Sequence, residues 1–187
     1  DFELIEIPHE IQKFKRLSPS PRGIALLEQI GGDLEGKNLI AVHPRHREFD
    51  TVRNWSEETY VNLISELQIT FPTHTVVVYG SPEGTCLGNN IPDGCIDLIN
   101  VDEGDRLDLH IAAICNSWLA IGASSGGLSI AYLAGCPVIT GSVGLDVQQM
   151  TEQLKVPIIQ TSDDGSNVNE IIQLAVEFES LSVPTST

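Results

Sequence analysis

Short apolar runs alternate with longer segments of helical periodicity along most of this 187-residue chain. The apolar runs consist of β-branched and aliphatic residues without polar alternation, which is typical of strands buried on both faces of a sheet. This pattern predicts six strands, at residues 38–43, 74–79, 95–99, 118–122, 137–142 and 157–161.

Helical periodicity predicts a helix between most of these strands. The first helix ends at the glycine pair Gly31-Gly32, and Ser56 is placed to cap the second. The predicted helices cover residues 22–30, 56–70, 105–116, 125–134, 145–154 and 167–181. Alternating strands and helices predict an α/β fold, in which a doubly wound parallel sheet carries helices on both faces.

Three segments divide the chain. Residues 1–37 are less regular than the rest, and Ser18–Pro21 forms a linker-like break before the first helix. Residues 38–182 contain the whole strand–helix alternation and predict one domain, which is long enough to bury a full core. Residues 183–187 predict a frayed tail.

The chain is acidic, with a formal net charge of −16 and a pI near 4.4. This charge disfavours nucleic acids and anionic lipids as partners, and no apolar run has the roughly 18 residues of a membrane span. The four cysteines form no C-x-x-C pair. A bridge between Cys86 and Cys95 across a loop is one interpretation, but free thiols in a reducing cytosol are the simpler one. We therefore expect a cytoplasmic protein.

The scarce positive charge is gathered in one place. Arg45, Arg47 and Arg53 are three of only six arginines, and they follow the first predicted strand within nine residues. Loops at the carboxyl ends of parallel strands are where open α/β sheets bind ligands, and the arginine fork of donors matches phosphate. This loop therefore predicts an anion site. The alternative is that the arginines pair on a solvated surface with the nearby carboxylates of Glu48, Asp50, Glu57 and Glu58.

Two further strand-to-helix loops carry candidate ligand-binding residues. After the fourth strand, the backbone amides of a helix start offer an anion cradle, although the same residues would also serve as an ordinary helix cap. These residues are Ser124, Ser125, Gly126 and Gly127. After the second strand, an acidic side chain is placed to accept hydrogen bonds from ribose hydroxyls. The residues of that loop are Gly80, Ser81 and Glu83. Three converging loops predict a nucleotide diphosphate with a further group attached.

Other polar residues have simpler explanations. His43 ends a strand and is a candidate core or turn residue, whereas His46 is the more exposed candidate for ligand contact. Asp105 and Asp108 flank a helix start, where capping is the expected role. No G-x-G-x-x-G follows the first strand, which argues against a dinucleotide dehydrogenase. We find no cluster with metal-ligand spacing and expect neither a metal nor another cofactor.

Three segments together resemble the carboxyl-terminal domain of glycosyltransferase family 9, the ADP-heptose:lipopolysaccharide heptosyltransferase-like group. They are HPR…RNW, GSPE and IGASSGGLSIAYLAGCPVI, and the resemblance covers roughly residues 38–142. It implies a Rossmann-like half of a two-domain GT-B fold. It also implies that Arg53, in the basic-x-Trp motif, contacts the donor phosphates, that Glu83 binds the ribose, and that residues 124–129 open the diphosphate-binding helix.

The chain departs from the family pattern at four positions. Arg53 stands for the usual Lys, Ser124 for an Asp, Gly127 for a Pro and Ser129 for a His. The resemblance therefore does not specify ADP-heptose as the donor, because the contacts to its sugar end are missing. The backbone amides of 125–127 are still suited to a diphosphate, and our hypothesis is that Arg45 and Arg47 supply compensating charge.

The resemblance implies a donor-binding domain of a glycosyltransferase that moves a hexosyl or heptosyl group from a nucleotide diphosphate sugar to a lipopolysaccharide or other glycan acceptor. In that family the catalytic base lies in an amino-terminal domain, so residues 1–37 are expected to be the linker from a missing half. The isolated chain is then inactive, and the whole protein acts without metal at the inner face of the membrane. The alternatives are a nucleotide-sugar epimerase-like domain and a non-catalytic α/β binding domain.

Overall fold

The structure is a computed structural model, and it describes residues 15–32, 34, 38–49, 51–141, 145–161 and 167–182. Its centre is a sheet of six parallel strands in the order β3-β2-β1-β4-β5-β6. The strands are β1 (Asn38–His43), β2 (His74–Tyr79), β3 (Ile96–Leu98), β4 (Ser117–Gly122), β5 (Val138–Thr140) and β6 (Ile158–Gln160).

In the part of the chain that the structure describes, six helices flank the sheet. They are α1 (Pro21–Gly31), α2 (Glu57–Thr70), α3 (Glu103–Cys115), α4 (Ser129–Ala134), α5 (Leu145–Leu154) and α6 (Val168–Ser182). Two 3₁₀ turns, Thr51–Arg53 and Pro82–Gly84, lie in the loops after β1 and β2. The predicted fold class, a doubly wound parallel Rossmann-like sheet with helices on both faces, is confirmed.

Each face of the sheet carries its own hydrophobic core. In β1, Leu39 and Ala41 pack with α1, α3 and α4, whereas Ile40 and Val42 pack with α2 and α6. Because successive side chains of a strand point to opposite faces, a strand covered on both sides must be apolar at every position. This double burial is the physical reason for the uninterrupted apolar runs in the sequence.

The strand order places one end of the sheet at a topological switch point. The chain runs outward from β1 to β3 and then crosses back, through α3, to β4 on the other side of β1. Loops leaving the carboxyl ends of β1 and β4 therefore diverge to opposite sides and leave a crevice between them, which is where ligands bind in open α/β sheets.

Local caps correct two sequence predictions about helix starts. Helix α3 begins at Glu103, and its cap is Asp102, whose Oδ1 accepts a hydrogen bond from Gly104 N at 2.8 Å. Asp105 and Asp108, which we expected to be capping residues, instead tie α3 to the first helix. Asp105 forms an ion pair with Arg22, and Asp108 Oδ1 accepts a hydrogen bond from Ser20 Oγ at 2.9 Å.

The described residues do not test the predicted domain boundaries. Residues 1–14, 33, 35–37, 142–144, 162–166 and 183–187 lie outside the described residues, so the linker and tail boundaries stay predictions. All four cysteines are free thiols in the structure. Within the described ranges, no helix combines the length and apolar character that crossing a bilayer requires.

Candidate functional site

A cavity of about 330 Å³ opens at the carboxyl edge of the sheet. It lies at the switch point, between the loops that follow β1, β2 and β4, and is closed on one side by the first two turns of α3. The residues that line it are His43, Arg45, Arg47, Tyr79, Gly80, Ser81, Gly84, Glu103, Arg106, Leu107, His110, Ser125 and Gly127.

The cavity brings together part of the site expected from sequence. Six of the ten predicted residues line it, namely Arg45, Arg47, Gly80, Ser81, Ser125 and Gly127. Four do not. Arg53 is exposed at the end of the first 3₁₀ turn, Glu83 is exposed within the second, and Ser124 and Gly126 lie in the turn after β4 without reaching the cavity.

We call the residues His43, Arg45 and Arg47, at the end of β1, the loop wall. Its geometry is fixed by hydrogen bonds through Asn54. Asn54 Oδ1 accepts from Arg45 Nη1 and, at 3.2 Å, from Arg47 N, while Asn54 Nδ2 donates to Arg47 O at 2.7 Å. Arg45 is only 2% exposed and also forms an isolated backbone bridge with Thr85. The loop is therefore held in its present shape without a ligand.

The alternative role for the arginines, pairing with neighbouring carboxylates, depends on residues that the structure describes unevenly. Asp50 lies outside the described residues. Glu57 Oε1 accepts a hydrogen bond from Asn90 Nδ2 at 2.9 Å. Among the described residues, the guanidinium of Arg47 makes no hydrogen bond or ion pair, and Arg47 lines the cavity.

His43, at the base of the loop wall, is a neutral imidazole. Its Nδ1 lies 3.0 Å from Tyr79 O, and because a carbonyl can only accept, Nδ1 carries the proton and Nε2 keeps a lone pair. The ring stacks on that of Tyr79 with centroids 5.0 Å apart. Burial, with smaller contributions from His110, Arg45 and Arg47, lowers the pKa of His43 from 6.5 to about 4. Anion binding at this wall thus depends on the arginines.

Two glycines allow the backbone to approach the base of the loop wall closely. A Cβ at Gly127 would lie 2.4 Å from His43 Nε2, so only glycine fits above the ring. At Gly80, where φ is +149°, a Cβ would lie 2.3 Å from Thr85 Cγ2. The contact at Gly127 gives a physical reason for one departure from the family pattern, because a proline there would collide with the imidazole.

The turn after β4 differs from the predicted helix start. We expected a helix from residue 125, but α4 begins at Ser129 and has six residues. Ser125 closes the turn, because its Oγ accepts a hydrogen bond from Leu128 N at 3.1 Å and its carbonyl accepts one from Ser129 N at 3.1 Å. Within the described residues, the amide N–H groups of Gly126 and Gly127 donate to no protein acceptor. The turn therefore still offers two backbone donors beside the cavity.

A second side of the cavity, which we call the helix wall, was not expected from sequence. It consists of Glu103, Arg106, Leu107 and His110, whose i, i+3, i+4, i+7 spacing puts them on one stripe of α3. His110 Nε2 lies 3.0 Å from Leu98 O, and burial lowers its pKa below the usual value of 6.5. The spacing of these four residues predicts that they share one face of the helix. Only the packing of α3 determines that this face lines the cavity.

The lining is electropositive although the chain as a whole is strongly acidic. Three arginines and one glutamate carry its formal charge, and both histidines are neutral near pH 7. Partial enclosure by protein of low dielectric strengthens such a local field relative to distant charges screened by salt. The cavity is therefore suited to an anionic small molecule.

Two further observations delimit the site. His46, the more exposed histidine candidate, does not line this cavity but a separate hollow of about 480 Å³ beside Trp55. In the ranges that the structure describes, no group of three or more His, Cys, Asp or Glu side chains is arranged to hold a metal ion.

No protein-family model and no curated protein matches this chain. Its fold is similar to solved structures of glycosyltransferases. E. coli ADP-heptose lps heptosyltransferase II superposes with a TM-score of 0.64 at 16% sequence identity, over 90% of this chain and 54% of the other. For the glycosyl transferase family 9 protein from Veillonella parvula DSM 2008, the TM-score is 0.64, the identity 13%, and the coverage 89% and 54%.

A third similar structure is WaaG, a glycosyltransferase involved in lipopolysaccharide biosynthesis, with a TM-score of 0.50, 15% identity and coverage of 94% of this chain and 50% of the other. The chain thus spans about half the length of these structures. At such identities the similarity concerns the fold. The chain has the fold of one Rossmann-like half of a GT-B glycosyltransferase.

Proposed function

We propose that this chain is the donor-binding half of a glycosyltransferase and binds a nucleotide diphosphate sugar in the switch-point cavity. One observation carries the proposal. Arg45 and Arg47 of the loop wall line the same cavity as Ser125 and Gly127 of the turn after β4. Guanidinium groups and free backbone amides are both donors that proteins use to bind phosphate oxygens.

The geometry supports different roles for Arg45 and Arg47 at the diphosphate. Arg45 is buried and held by Asn54, so it contributes a fixed positive potential. Arg47 has its guanidinium available and is suited to direct, bidentate contact with a phosphate. The turn over His43 adds neutral donors at close range, since Gly127 brings the main chain against the imidazole without a side chain in between.

Sugar transfer breaks the bond between the sugar and the terminal phosphate oxygen, and negative charge accumulates on the departing diphosphate. Donors placed in advance around that group stabilise the transition state more than the bound substrate, because the charge is larger there. In this proposal Arg47, Arg45 and the amides of the turn perform that role. The acceptor and the group that removes its proton belong to the other half of the enzyme, since the chain spans about half of the similar structures.

The proposal is tested by isothermal titration calorimetry of the 187-residue chain with ADP, UDP and GDP. We expect one of these to bind, and Arg47→Gln to weaken its binding at least tenfold, which corresponds to about 1.4 kcal/mol. Arg22→Gln is the matched control, because Arg22 pairs with Asp105 on α3 and does not line the cavity.

Arg53→Gln is the most informative additional variant. The family resemblance assigns phosphate contact to Arg53, whereas the structure leaves this residue outside the cavity lining. A loss of affinity in Arg53→Gln without one in Arg47→Gln would place the phosphates at the 3₁₀ turn and contradict the proposed site. No binding of any of the three nucleotides at millimolar concentration by the folded chain would contradict the proposed function.

A further inference from the structure

Within the described residues, the lining of the cavity is rich in hydrogen-bond donors and poor in free acceptors. Its arginines and the amides of the turn after β4 can only donate. The Oγ atoms of Ser81 and Ser125 already accept from Gly84 N and Leu128 N, both at 3.1 Å. Glu83, to which the family resemblance assigns the ribose, lies outside the lining. The hydroxyl groups of a nucleotide therefore need other acceptors in this cavity.

Two neutral histidines supply such acceptors. His43 Nδ1 donates to Tyr79 O, and His110 Nε2 donates to Leu98 O, both at 3.0 Å. In a neutral imidazole the other ring nitrogen keeps a lone pair, which is Nε2 in His43 and Nδ1 in His110. Burial lowers the pKa of both side chains, so neither is protonated near pH 7. The backbone carbonyls at the ends of β2 and β3 thus fix the tautomer of each histidine.

Both lone pairs are open to a ligand. In the described part of the chain, neither nitrogen forms a hydrogen bond, and neither belongs to the buried side-chain nitrogen and oxygen atoms that lack a partner. Both residues line the cavity. Gly127 does not cover the lone pair of His43, because a Cβ there would lie 2.4 Å from Nε2 and 2.5 Å from Cε1. Such nearly equal distances put the main chain over the face of the ring and leave its edge free.

The position of the two histidines indicates which part of a nucleotide they meet. Both contact Tyr79, the last residue of β2. The His43 ring stacks on the Tyr79 ring with centroids 5.0 Å apart, and the His110 ring meets it edge-on at 5.4 Å. In dinucleotide-binding sheets, the group that binds the ribose hydroxyls follows the second strand when the diphosphate lies at the switch point. The two acceptors are therefore placed where the ribose is expected when its diphosphate contacts Arg47.

Resting on the proposed function, we propose that His43 and His110 recognise the ribose, and that the ligand is a ribonucleotide rather than a deoxyribonucleotide. His43 Nε2 accepts a hydrogen bond from one ribose hydroxyl, and His110 Nδ1 accepts one from the other. An analogue that lacks a hydroxyl leaves a lone pair in the cavity without a donor, and sites built to bond a hydroxyl discriminate strongly against such analogues. Thymidine diphosphate sugars, which lack the 2′-hydroxyl, are then poor donors.

The test is calorimetry of the 187-residue chain with the nucleotide among ADP, UDP and GDP that binds most tightly, and with its 2′-deoxy and 3′-deoxy counterparts. None of these ligands carries a transferable sugar, so a difference in affinity among them arises from the ribose alone. We expect the removal of either hydroxyl to weaken binding at least about tenfold.

Two variants each remove one lone pair and keep the donor to the backbone carbonyl. An asparagine places its amide nitrogen near the position of Nδ1, and a glutamine places it near that of Nε2, so the matched changes are His43→Asn and His110→Gln. In each folded variant, discrimination against one of the two deoxy forms should shrink to less than about threefold. Arg22→Gln, outside the cavity, should keep both discriminations.

Different results separate the ribose contacts from the proposed function. Equal affinity for the ribonucleotide and both deoxy forms, or discrimination that persists in either histidine variant, would overturn the paired contacts and leave the proposed function standing. The same holds if Glu103→Gln, at the start of the helix wall, abolishes the discrimination in place of the histidine variants. If neither the ribonucleotides nor the deoxy forms bind to the folded chain, both proposals are overturned.

Discussion

The two walls of the cavity hold their arginines to different degrees. On the loop wall, Arg45 is 2% exposed, bonded to Asn54 and bridged to Thr85 through the backbone. On the helix wall, Arg106 is half-buried, and its Nη2 makes one long contact, 3.4 Å to the carbonyl oxygen of Val101. The protein therefore holds Arg45 more firmly than Arg106.

This difference separates two kinds of mutational effect. Removing a side chain that is already bonded inside the protein leaves its former partners unsatisfied and lowers the free energy of unfolding. Removing a side chain that makes few bonds within the protein changes the free energy of unfolding little, and its effect is detected only in ligand affinity. The walls therefore differ in measurable ways even before the ligand is identified.

The largest expected effect concerns the histidine of each wall. The pKa of His43 is about 4 in the folded chain and near its ordinary 6.5 in the unfolded chain. Between these values the unfolded chain binds a proton that the folded chain does not, so stability falls as the pH falls from 6.5 to about 4. The loss attributable to His43 should reach about 3 kcal/mol at the lower pH, at about 1.4 kcal/mol per pKa unit.

Urea unfolding of the wild type and of His43→Asn between pH 4 and 8 measures this loss. Asparagine retains an N–H that can donate to Tyr79 O, and the difference between the two curves cancels the carboxylates common to both. His110→Asn should remove a smaller part of the pH dependence, because burial, the main cause of both pKa shifts, is deeper at His43 than at His110. A larger effect in His110→Asn would contradict the expectation that His43 contributes more than His110 to the pH dependence of stability.

The next effect tests the arginines directly. Arg45→Ala should lower the free energy of unfolding by about 2 kcal/mol, because Asn54 loses a charged hydrogen-bond donor. Arg106→Ala should lower it by less, about 0.5 to 1 kcal/mol, because this half-buried side chain makes one long hydrogen bond. Both values come from urea unfolding at pH 7 without ligand. If the two variants are equally destabilised, the contrast between the walls does not exist.

The fold was predictable because the strand signal is local. The bounds of β1 and β2 agree with the prediction, since polar residues flank apolar runs that are buried on both faces. Helix starts were less predictable, because they depend on which side chain finds a backbone donor. Asp102 rather than Asp105 caps α3, and Ser125 closes a turn that delays α4 to Ser129.

The site was predictable only where its residues cluster in sequence. Three arginines close together after a strand indicated the loop wall, but the first 3₁₀ turn leaves Arg53 outside the cavity, and no local pattern showed this. The helix wall depends on which stripe of α3 packs towards the end of β1. Tertiary packing determines which stripe of α3 faces the cavity, and the sequence of this one acidic helix does not show it.

The smallest of the expected effects probes the turn that covers the loop wall. Gly127→Ala places a Cβ 2.4 Å from His43 Nε2, and the ring is held by its hydrogen bond to Tyr79 O and its stack on the Tyr79 ring. Overpacking of this kind should lower the free energy of unfolding by about 1 to 2 kcal/mol. The neighbouring Gly126→Ala is a matched control, because nothing lies within 4 Å of its added Cβ. Urea unfolding compares the two.

The double variant Gly127→Ala/His43→Ala shows whether the collision is the cause. With the imidazole removed, the added methyl group has space, so the double variant should be more stable than the sum of the two single changes indicates. Additive losses, with no interaction energy between the two sites, would mean that the ring and the turn do not press on each other. The turn after β4 would then not help to hold the loop wall in place. Only the hydrogen bonds of Asn54 would fix the geometry of that wall.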